Sequence, residues 1–294
     1  MDDISWIAAD WGTTHLRVWA IGSDQTVVGQ ASSANGMNSL EAHQFEGALL
    51  ELIADWLPAD RTTLVIACGM VGARQGWIEA DYIEIPAKPP ASGRFQTAPT
   101  KDPRLNVLIV PGMASRDPAD VMRGEETQIA GLLAGREGFK GTVCMPGTHC
   151  KWVQIKGGEI INFKTCMTGE LFSLLEKQSI LRHSLTSDGF ELKAFEAAVA
   201  TPGPALADLF AIRADDLLNG VPPDVSRARL SACLIAAEIQ AMRPLWHGHS
   251  VVLLGNSELV SLYKIALAAA GADIELVDGE GLTVAGLIAA RALA

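Results

Sequence analysis

The stretch ISWIAADWGTTHLRVWAI, residues 4–21, reads as two strands joined by a short polar loop. Residues 4–9 form an apolar run and residues 16–21 alternate partly with a period of two, which is typical of neighbouring strands. Gly in such a loop lets the backbone approach a phosphate, Thr hydroxyls donate to its oxygens, and a strand-end carboxylate can hold hydrated Mg2+. An ordinary hairpin favours the same residues, so the loop alone leaves both interpretations open. Its candidate phosphate and metal contacts are Asp10, Gly12, Thr13 and Thr14.

A second copy of this arrangement begins at residue 143. Residues 143–145 are apolar, PGTHC at 146–150 is a second Gly-Thr loop, and KWVQI at 151–155 reads as the following strand. The repeat favours a phosphate clamp over two unrelated turns. Lys151 is either a phosphate contact or a solvated strand residue, the usual situation for a single Lys. The candidate phosphate contacts in this half are Gly147, Thr148, His149 and Lys151.

Several longer stretches are more specific than either loop. They are AADWGTTHLRVW (8–19), ACGMVGARQGW (67–77), MRGEETQIAGL (122–132), MPGTHCKWV (145–153) and TGEL (168–171). They resemble the 2-dehydro-3-deoxygalactonokinase family of the actin/hexokinase/Hsp70 ATPase superfamily, from the first strand to the last helix. The resemblance implies an α/β, two-lobed, ribonuclease H-like (actin/hexokinase-type) ATPase fold with an interdomain cleft. It further implies a kinase that uses ATP and Mg2+ to phosphorylate the 6-hydroxyl of 2-dehydro-3-deoxy-D-galactonate in galactonate catabolism.

Length and pattern predict two domains. A chain of 294 residues is long for one core and comfortable for two. We expect an N-terminal lobe at 1–124 with the first phosphate loop and the substrate side, and a C-terminal lobe at 125–294 with the second loop and the adenosine side. Further strands are predicted at 26–29, 64–67, 107–110, 251–254 and 274–277, and helices at 41–56, 171–179, 195–200, 205–213, 230–242 and 258–270.

Composition excludes several classes of partner. The formal net charge of -11 argues against a nucleic-acid footprint and against binding to anionic membranes. No signal peptide and no apolar run of membrane-spanning length is present, so we expect a soluble cytoplasmic protein. The five cysteines lack C-x-x-C spacing and read as free thiols. The pair His247 and His249 lacks the further ligands of a metal site. A homodimer is compatible with the sequence, which does not fix the oligomeric state.

Three segments are candidates for the substrate side. A loop at 34–38 follows the first strands, and a glycine-containing turn follows the strand at 64–67. A third segment precedes the helix at 171–179, which Thr168 is expected to cap. The turn after 64–67 is equally compatible with a simple entry into a helix. Residues 83–100 are predicted to form an irregular excursion over the surface, either a lid or substrate wall or a disordered segment, and a further loop is predicted at 111–113. The candidate substrate contacts are Asn35, Gly36, Met37, Gly69, Met70, Thr168, Gly169 and Glu170.

The strand at 251–254 and the glycine after it form the candidate adenosine side. Gly255 and Asn256 precede the helix at 258–270, and the resemblance implies that this position borders adenosine. No G-x-G-x-x-G or G-x-x-x-x-G-K-[ST] motif is present, so the nucleotide site is neither of the Rossmann type nor a P-loop.

Two chemical roles remain to be filled from the sequence. The implied substrate is a carboxylate, for which Arg17, Arg74 and Arg123 are candidates, with Arg123 favoured. The superfamily places an Asp at the start of the helix that precedes the second phosphate strand, whereas this chain has Glu125 and Glu126 there.

Either glutamate can serve as general base, and acids in a first helical turn also stabilise the helix dipole. We favour Glu125 as base and Glu126 as a cap or substrate contact, with Asp10 next to be tested. The alternatives are a kinase for another small sugar or sugar acid, or a non-kinase ATPase of the same fold.

Overall fold

The chain forms two compact units in the computed structural model, which describes residues 4–90, 94–203, 205–255 and 257–294. The first unit contains the chain up to Phe139 together with Lys156–Asn162 and Gly279–Ala294, and the second contains Lys140–Ile155 and Phe163–Asp278. These units differ from the predicted lobes, 1–124 and 125–294, because residues 125–139 and the C-terminal segment pack with the first unit. The functional division into lobes stays a prediction.

A six-stranded sheet organises the first unit. Its central strand is the apolar run of the opening stretch, which is antiparallel to the second strand and parallel to the fourth. The sheet order is β3-β2-β1-β4-β7-β6, and a separate sheet has the order β5-β8-β9. The elements are β1 (Ile4–Trp11), β2 (Leu16–Gly22), β3 (Val27–Ser33), α1 (Phe45–Ile53), β4 (Thr63–Gly69), β5 (Tyr82–Glu84), β6 (Gln96–Thr97), β7 (Leu105–Ile109), β8 (Gly112–Arg116), β9 (Ala119–Met122) and α2 (Glu125–Leu133).

Both faces of β1 are buried. Ile7, Ala9 and Trp11 pack with Phe45 of α1 in one core, whereas Trp6 and Ala8 lie in a core on the other face. Burial on two sides explains why the sequence of β1 is a nearly continuous apolar run rather than an alternating one. Asp10, the last polar residue of the strand, is paired with Arg17 and Cys68 near the carboxyl end of β1.

The predicted loop at 111–113 is wrong, because β8 begins at Gly112 and forms a hairpin with β9. The local sequence is flanked by proline and contains few β-branched residues, so its propensity for a strand is weak. Pairing with β5 supplies the missing stabilisation, with Tyr82 opposite Gly112.

A five-stranded sheet organises the second unit, in the order β12-β11-β10-β13-β14. The Gly157–Gly158 turn joins β11 to β12 with positive φ at both residues, as a tight hairpin requires. The elements are β10 (Lys140–Met145), β11 (Cys150–Lys156), β12 (Glu159–Cys166), α3 (Thr168–Gln178), α4 (Leu192–Ala200), α5 (Ala205–Asn219), α6 (Pro223–Ala241), α7 (Arg243–Trp246), β13 (Ser250–Leu254), α8 (Glu258–Ala269) and β14 (Asp273–Val277).

The C-terminal helix α9 (Leu282–Arg291) belongs to the first unit, where it packs against α2. Two glycines permit an unusually close approach of the helices. A Cβ at Gly131 of α2 would lie 2.0 Å from the carbonyl oxygen of Leu282, and one at Gly286 of α9 would lie 1.9 Å from that of Thr127. Backbone therefore contacts backbone at this crossing.

All five cysteines are free thiols. Among the helices in the described ranges, none combines the length and apolarity needed to span a membrane.

Candidate active site

Asp10, the residue before the last of β1, lies directly opposite Arg17 of β2, and the two side chains form an ion pair at 2.5 Å. The Asp10 side chain is only 15% exposed, whereas that of Arg17 is 56% exposed. Burial raises the pKa of Asp10, and the charge of Arg17 opposes that shift. In the loop between β1 and β2, Gly12 N donates a hydrogen bond to His15 O at 2.9 Å, and Thr13 and Thr14 are exposed.

The predicted substrate loop lies directly on this phosphate loop. Trp11 Nε1 donates to Asn35 O at 2.8 Å, and Met37 N donates to Gly12 O at 3.0 Å. Gly36 is required here, because a Cβ would lie 2.3 Å from the carbonyl carbon of Thr14. The two segments, far apart in sequence, thus form one surface of the first unit.

Two glycines with positive φ complete that surface. Gly69 has φ +89°, and a Cβ there would lie 2.7 Å from Trp11 O and 3.5 Å from Asp10 Oδ1. Gly124 has φ +109°, precedes α2, and would place a Cβ 3.3 Å from the Cα of Gly69. Met70, next to Gly69, begins a short 3-10 turn. The start of α2 is therefore held close to Asp10.

Glu125 and Glu126 open α2 and differ in access. Glu126 is 1% exposed; its carboxylate accepts from Gly124 N at 2.6 Å and from Thr127 Oγ1 at 3.0 Å. Burial, with a smaller contribution from the charge of Glu125, raises its pKa to about 7. Glu125 is half-buried and accepts from Arg123 N at 3.0 Å.

Arg123 differs from the other two candidate carboxylate receptors. Arg17 is paired with Asp10, and Arg74 is paired with Glu79 at 3.3 Å. The guanidinium of Arg123 is buried, donates to Ala80 O at 2.7 Å, and lies 4.3 Å from the ring centroid of Tyr82. Its Nε and Nη1 have no hydrogen-bond partner within the described part of the chain.

The second phosphate loop lies against the start of α3. A Cβ at Gly169 would lie 2.5 Å from Gly147 O, and Glu170 N donates to Thr148 O at 3.0 Å. His149 Nε2 and Glu170 Oε2 are 2.5 Å apart. The predicted substrate residues 168–170 thus adjoin predicted phosphate contacts of the same unit. Lys151, on β11, is buried rather than solvated.

Thr168 does not cap α3, contrary to expectation. Met167 is the residue before the helix, and Thr168 is its first residue. The Thr168 hydroxyl instead donates to buried Glu238 of α6, which also accepts from Trp152 Nε1 and Tyr263 OH, each at 2.7 Å. Glu238 thereby joins β11, α3, α6 and α8 behind the phosphate loop.

A pocket of about 640 Å³ opens beside this loop in the second unit. Its wall combines the loop residues Gly147 and Thr148 with side chains of α3, α6 and α8, among them Phe172, Arg227 and Leu262. Gly255, with φ +127°, and Ser257, which accepts from Val260 N, lead into α8. Asn256, predicted to border adenosine, lies outside the described residues.

No group of three or more His, Cys, Asp or Glu side chains in the described ranges could hold a metal ion by itself.

The sequence did not predict the Arg17–Asp10 pair, the role of Glu238 or the Tyr82–Arg123 contact. Only the first had a local signal, since the opposite charges face each other across the predicted hairpin.

The fold recurs in proteins of low sequence similarity. The activator of 2-hydroxyisocaproyl-CoA dehydratase from Clostridium difficile, solved with bound ADPNP, has a TM-score of 0.50 at 11% identity, covering 98% of this chain and 93% of that one. This likeness shows the fold class, an α/β fold of the actin/hexokinase type, which in this chain forms two units.

Relatives that match over nearly the full length of the chain identify its family. A probable 2-dehydro-3-deoxygalactonokinase from Rhizobium meliloti is 41% identical (96% of this chain, 95% of the relative), and a 2-dehydro-3-deoxygalactonokinase from Escherichia coli is 36% identical (96% of each). A crystal structure of a Sinorhizobium meliloti protein assigned to the same activity has a TM-score of 0.87 at 39% identity, covering 97% of this chain and 98% of that one. The family model for 2-keto-3-deoxy-galactonokinases matches residues 10–290. The chain belongs to this family, whose members are named as kinases.

Proposed function

We propose that the protein transfers the γ-phosphoryl group of ATP to the 6-hydroxyl of 2-dehydro-3-deoxy-D-galactonate. The observation that carries this proposal is full-length similarity to relatives named for that reaction. The two Gly-Thr loops support it independently, because phosphoryl transfer depends mainly on positioning the phosphates and stabilising their charge. ATP is a cytoplasmic metabolite, so we place the reaction in the cytoplasm.

The pocket of the second unit is our proposed adenosine site. Its volume of about 640 Å³ is within the usual range for ligand pockets, and its wall is mainly apolar with a few polar groups. Gly147 and Thr148 line this pocket. Separately, Thr13 and Lys151 are proposed as donors to the phosphates of ATP. Thr168, Gly169 and Glu170, by their contact with the loop, are better suited to the nucleotide than to the sugar acid.

Asp10 is the proposed carboxylate for Mg2+. A single carboxylate suits this ion, which is commonly held by one or two protein carboxylates together with substrate phosphates and water. When bound, Mg2+ would neutralise charge on the phosphates. Arg17 forms an ion pair with one carboxylate oxygen of Asp10. A metal ion bound to Asp10 must therefore displace Arg17 from that oxygen or share the carboxylate with it.

Glu125 is the proposed general base, and Glu126 the helix cap. A base must reach the hydroxyl that it deprotonates, so geometry ranks before pKa. Glu126, at 1% exposure, has both carboxylate oxygens in hydrogen bonds to its own turn, whereas Glu125 is partly accessible.

Arg123 is the proposed receptor for the substrate carboxylate, with the segments 35–37 and 69–70 as further substrate contacts. Its Nε and Nη1 nitrogens have no partner among the described residues, which supports this role, because buried polar groups are normally satisfied and a hydrogen bond from a guanidinium to a carboxylate is charge-assisted.

The decisive experiment measures ADP release with a panel of substrates. We expect turnover with 2-dehydro-3-deoxy-D-galactonate, a 6-phosphate product identified by NMR, and much slower turnover with the C4 epimer, simple aldonates and neutral aldoses. If neutral aldoses were turned over equally fast, Arg123 would not act as a receptor for the substrate carboxylate. ATP hydrolysis that no sugar acid accelerates would indicate a non-kinase ATPase and overturn the proposal.

A further inference from the structure

Helix α5 presents an apolar face to solvent. Leu206 is 90% exposed, Phe210 65%, Leu217 64% and Leu218 82%, and the helical period places Ala207 and Ala214 among them. Three of the four charged residues of α5 form ion pairs. Asp215 pairs with Arg229 of α6 at 2.6 Å, and Asp216 pairs with Arg213 at 2.6 Å.

This arrangement reverses the usual polarity of a surface helix, whose apolar stripe faces the core. Single exposed apolar residues are common, but a contiguous stripe of four large ones on one helix is a mark of an interaction surface. At these exposures the four side chains leave on the order of 500 Å² of apolar surface per copy. Two such faces that covered each other completely would bury about 1,000 Å², the area that a specific interface should reach.

We infer that this α5 face binds a second copy of the chain, in an antiparallel, two-fold symmetric helix pair. In such a pair each residue meets its counterpart across a centre near Ile212. Phe210 then faces the partner's Ala214, Leu217 faces the partner's Ala207, and Leu206 faces the partner's Leu218. Large side chains oppose small ones in both directions, so the face is complementary to itself, as an isologous contact requires.

The charge distribution also favours a second copy over another kind of partner. The protein has a formal net charge of -11, so two copies associate only through a surface free of uncompensated acids. The stripe 206, 207, 210, 214, 217 and 218 contains none. A charged partner would need charged groups beside the stripe to bind, whereas Asp215 and Asp216 of α5 are already paired with arginines.

The test is the mass of the full chain in solution, measured by light scattering and by sedimentation over a range of concentrations. We expect twice the chain mass of 31.2 kDa for the wild type. Phe210→Glu places a charge at the centre of the pair and should raise the dimer dissociation constant at least a hundredfold. Leu276→Glu is the matched control, because Leu276 is also an exposed apolar residue, at 50%, but lies on β14. It should remain dimeric.

A compensating pair of changes tests the register. Phe210→Ala should weaken the dimer, and the double variant Phe210→Ala with Ala214→Phe should restore it, because the large and small partners exchange places. Far-UV circular dichroism verifies that each variant is folded. A monomeric wild type at roughly 100 µM, a dimeric Phe210→Glu variant, or loss of the dimer in the Leu276→Glu control would each overturn the inference.

Discussion

Glu125 and Glu126 are the residues at which sequence and structure bear most directly on mechanism. Replacing Glu125 by Gln should lower kcat by about a hundredfold or more while nucleotide affinity is retained, because the proton acceptor is lost and the shape is kept. Replacing Glu126 by Gln should lower kcat much less. Steady-state kinetics and a separate measurement of ATP-analogue binding distinguish the two.

Each outcome of this pair has a defined meaning. If Glu126→Gln is the variant that loses turnover, then the buried carboxylate with its raised pKa is the base, and it must become accessible when substrate binds. If neither variant loses turnover, Asp10 is the carboxylate to replace next.

The raised pKa of Glu126 predicts a pH dependence of stability. Below its ordinary value of 4.5 the carboxyl is protonated in both states, whereas between 4.5 and about 7 only the unfolded chain releases the proton. Stability should therefore be highest at the acidic end of this window and fall as the pH rises through 7, by roughly 3 kcal/mol from this residue.

Urea unfolding at pH 5 and pH 8 measures this effect. The Glu126→Gln variant, which cannot titrate, should show a smaller loss between the two pH values than the wild type. Asp10 also has a raised pKa and contributes with the same sign in both proteins, so only the difference between them reports on Glu126. An identical pH dependence would mean that the Glu126 carboxylate is ionised in the folded protein.

Residues whose role follows from local pattern were predictable, and those that depend on distant partners were not. Gly12, Thr13, Gly147 and Thr148 stand out because a loop composition is repeated. Glu238 lies in an otherwise ordinary amphipathic helix, and its three donors come from residues 152, 168 and 263. No pattern in the sequence predicts that these three distant residues donate to the same carboxylate.

At the scale of elements, the α2–α9 contact depends on the absence of side chains at two positions. Gly131→Ala should destabilise the protein by about 1–3 kcal/mol, because its Cβ would meet backbone, which cannot rotate away as a side chain can. Gly286→Ala should behave similarly. Equilibrium unfolding monitored by tryptophan fluorescence measures both changes.

Gly47 of α1 supplies the matched control. It also lies within a helix, but a Cβ there would have no atom within 4 Å. Gly47→Ala should therefore be neutral or stabilising, by up to about 1 kcal/mol from helix propensity alone. If Gly131→Ala were no worse than Gly47→Ala, the two helices would have to separate without cost, and the close contact would not contribute to stability.

Most helices and strands were predictable from the period and length of their apolar pattern. The errors occur where contacts with distant residues override the local preference of the sequence. The predicted helix at 41–56 is shortened to α1, Phe45–Ile53, with 3-10 turns on both sides. The helix predicted at 230–242 begins earlier, at Pro223, where proline suits a first helical turn. The β8–β9 hairpin was missed because its pairing partner, β5, is remote in sequence.

At the scale of the whole chain, the sequence indicated two α/β bodies but not how the chain is shared between them. Apolar pattern identifies α9 as a helix, yet nothing in it reveals that the helix returns to the first unit. The α2–α9 contact depends on Gly131 and Gly286. A glycine in a helix permits close packing against many partners, so the sequence alone does not identify which helix it contacts.

Nucleotide binding should be visible in the thermal stability of the intact protein. A ligand that binds only the folded state stabilises it by about 2.7 kcal/mol at a hundredfold excess over the dissociation constant. We therefore expect a non-hydrolysable ATP analogue with Mg2+ to raise Tm. The part of this rise that requires Mg2+ should disappear in Asp10→Asn, because the metal would lose its one protein carboxylate. The apo variant should melt near the wild type, since the partner Arg17 is more than half exposed and such pairs contribute little.

Asp24→Asn provides the comparison that separates a local role of Asp10 from a general effect of removing negative charge. Asp24 is a fully exposed loop aspartate whose carboxylate accepts from Thr26. It changes the net charge by the same amount as Asp10→Asn and should keep the whole Mg2+-dependent rise in Tm. If both variants kept that rise, Asp10 would not contact the metal, and its burial beside Arg17 would be a structural feature of the β1–β2 hairpin. If both lost it, the effect would come from the field of the protein as a whole rather than from coordination at the end of β1.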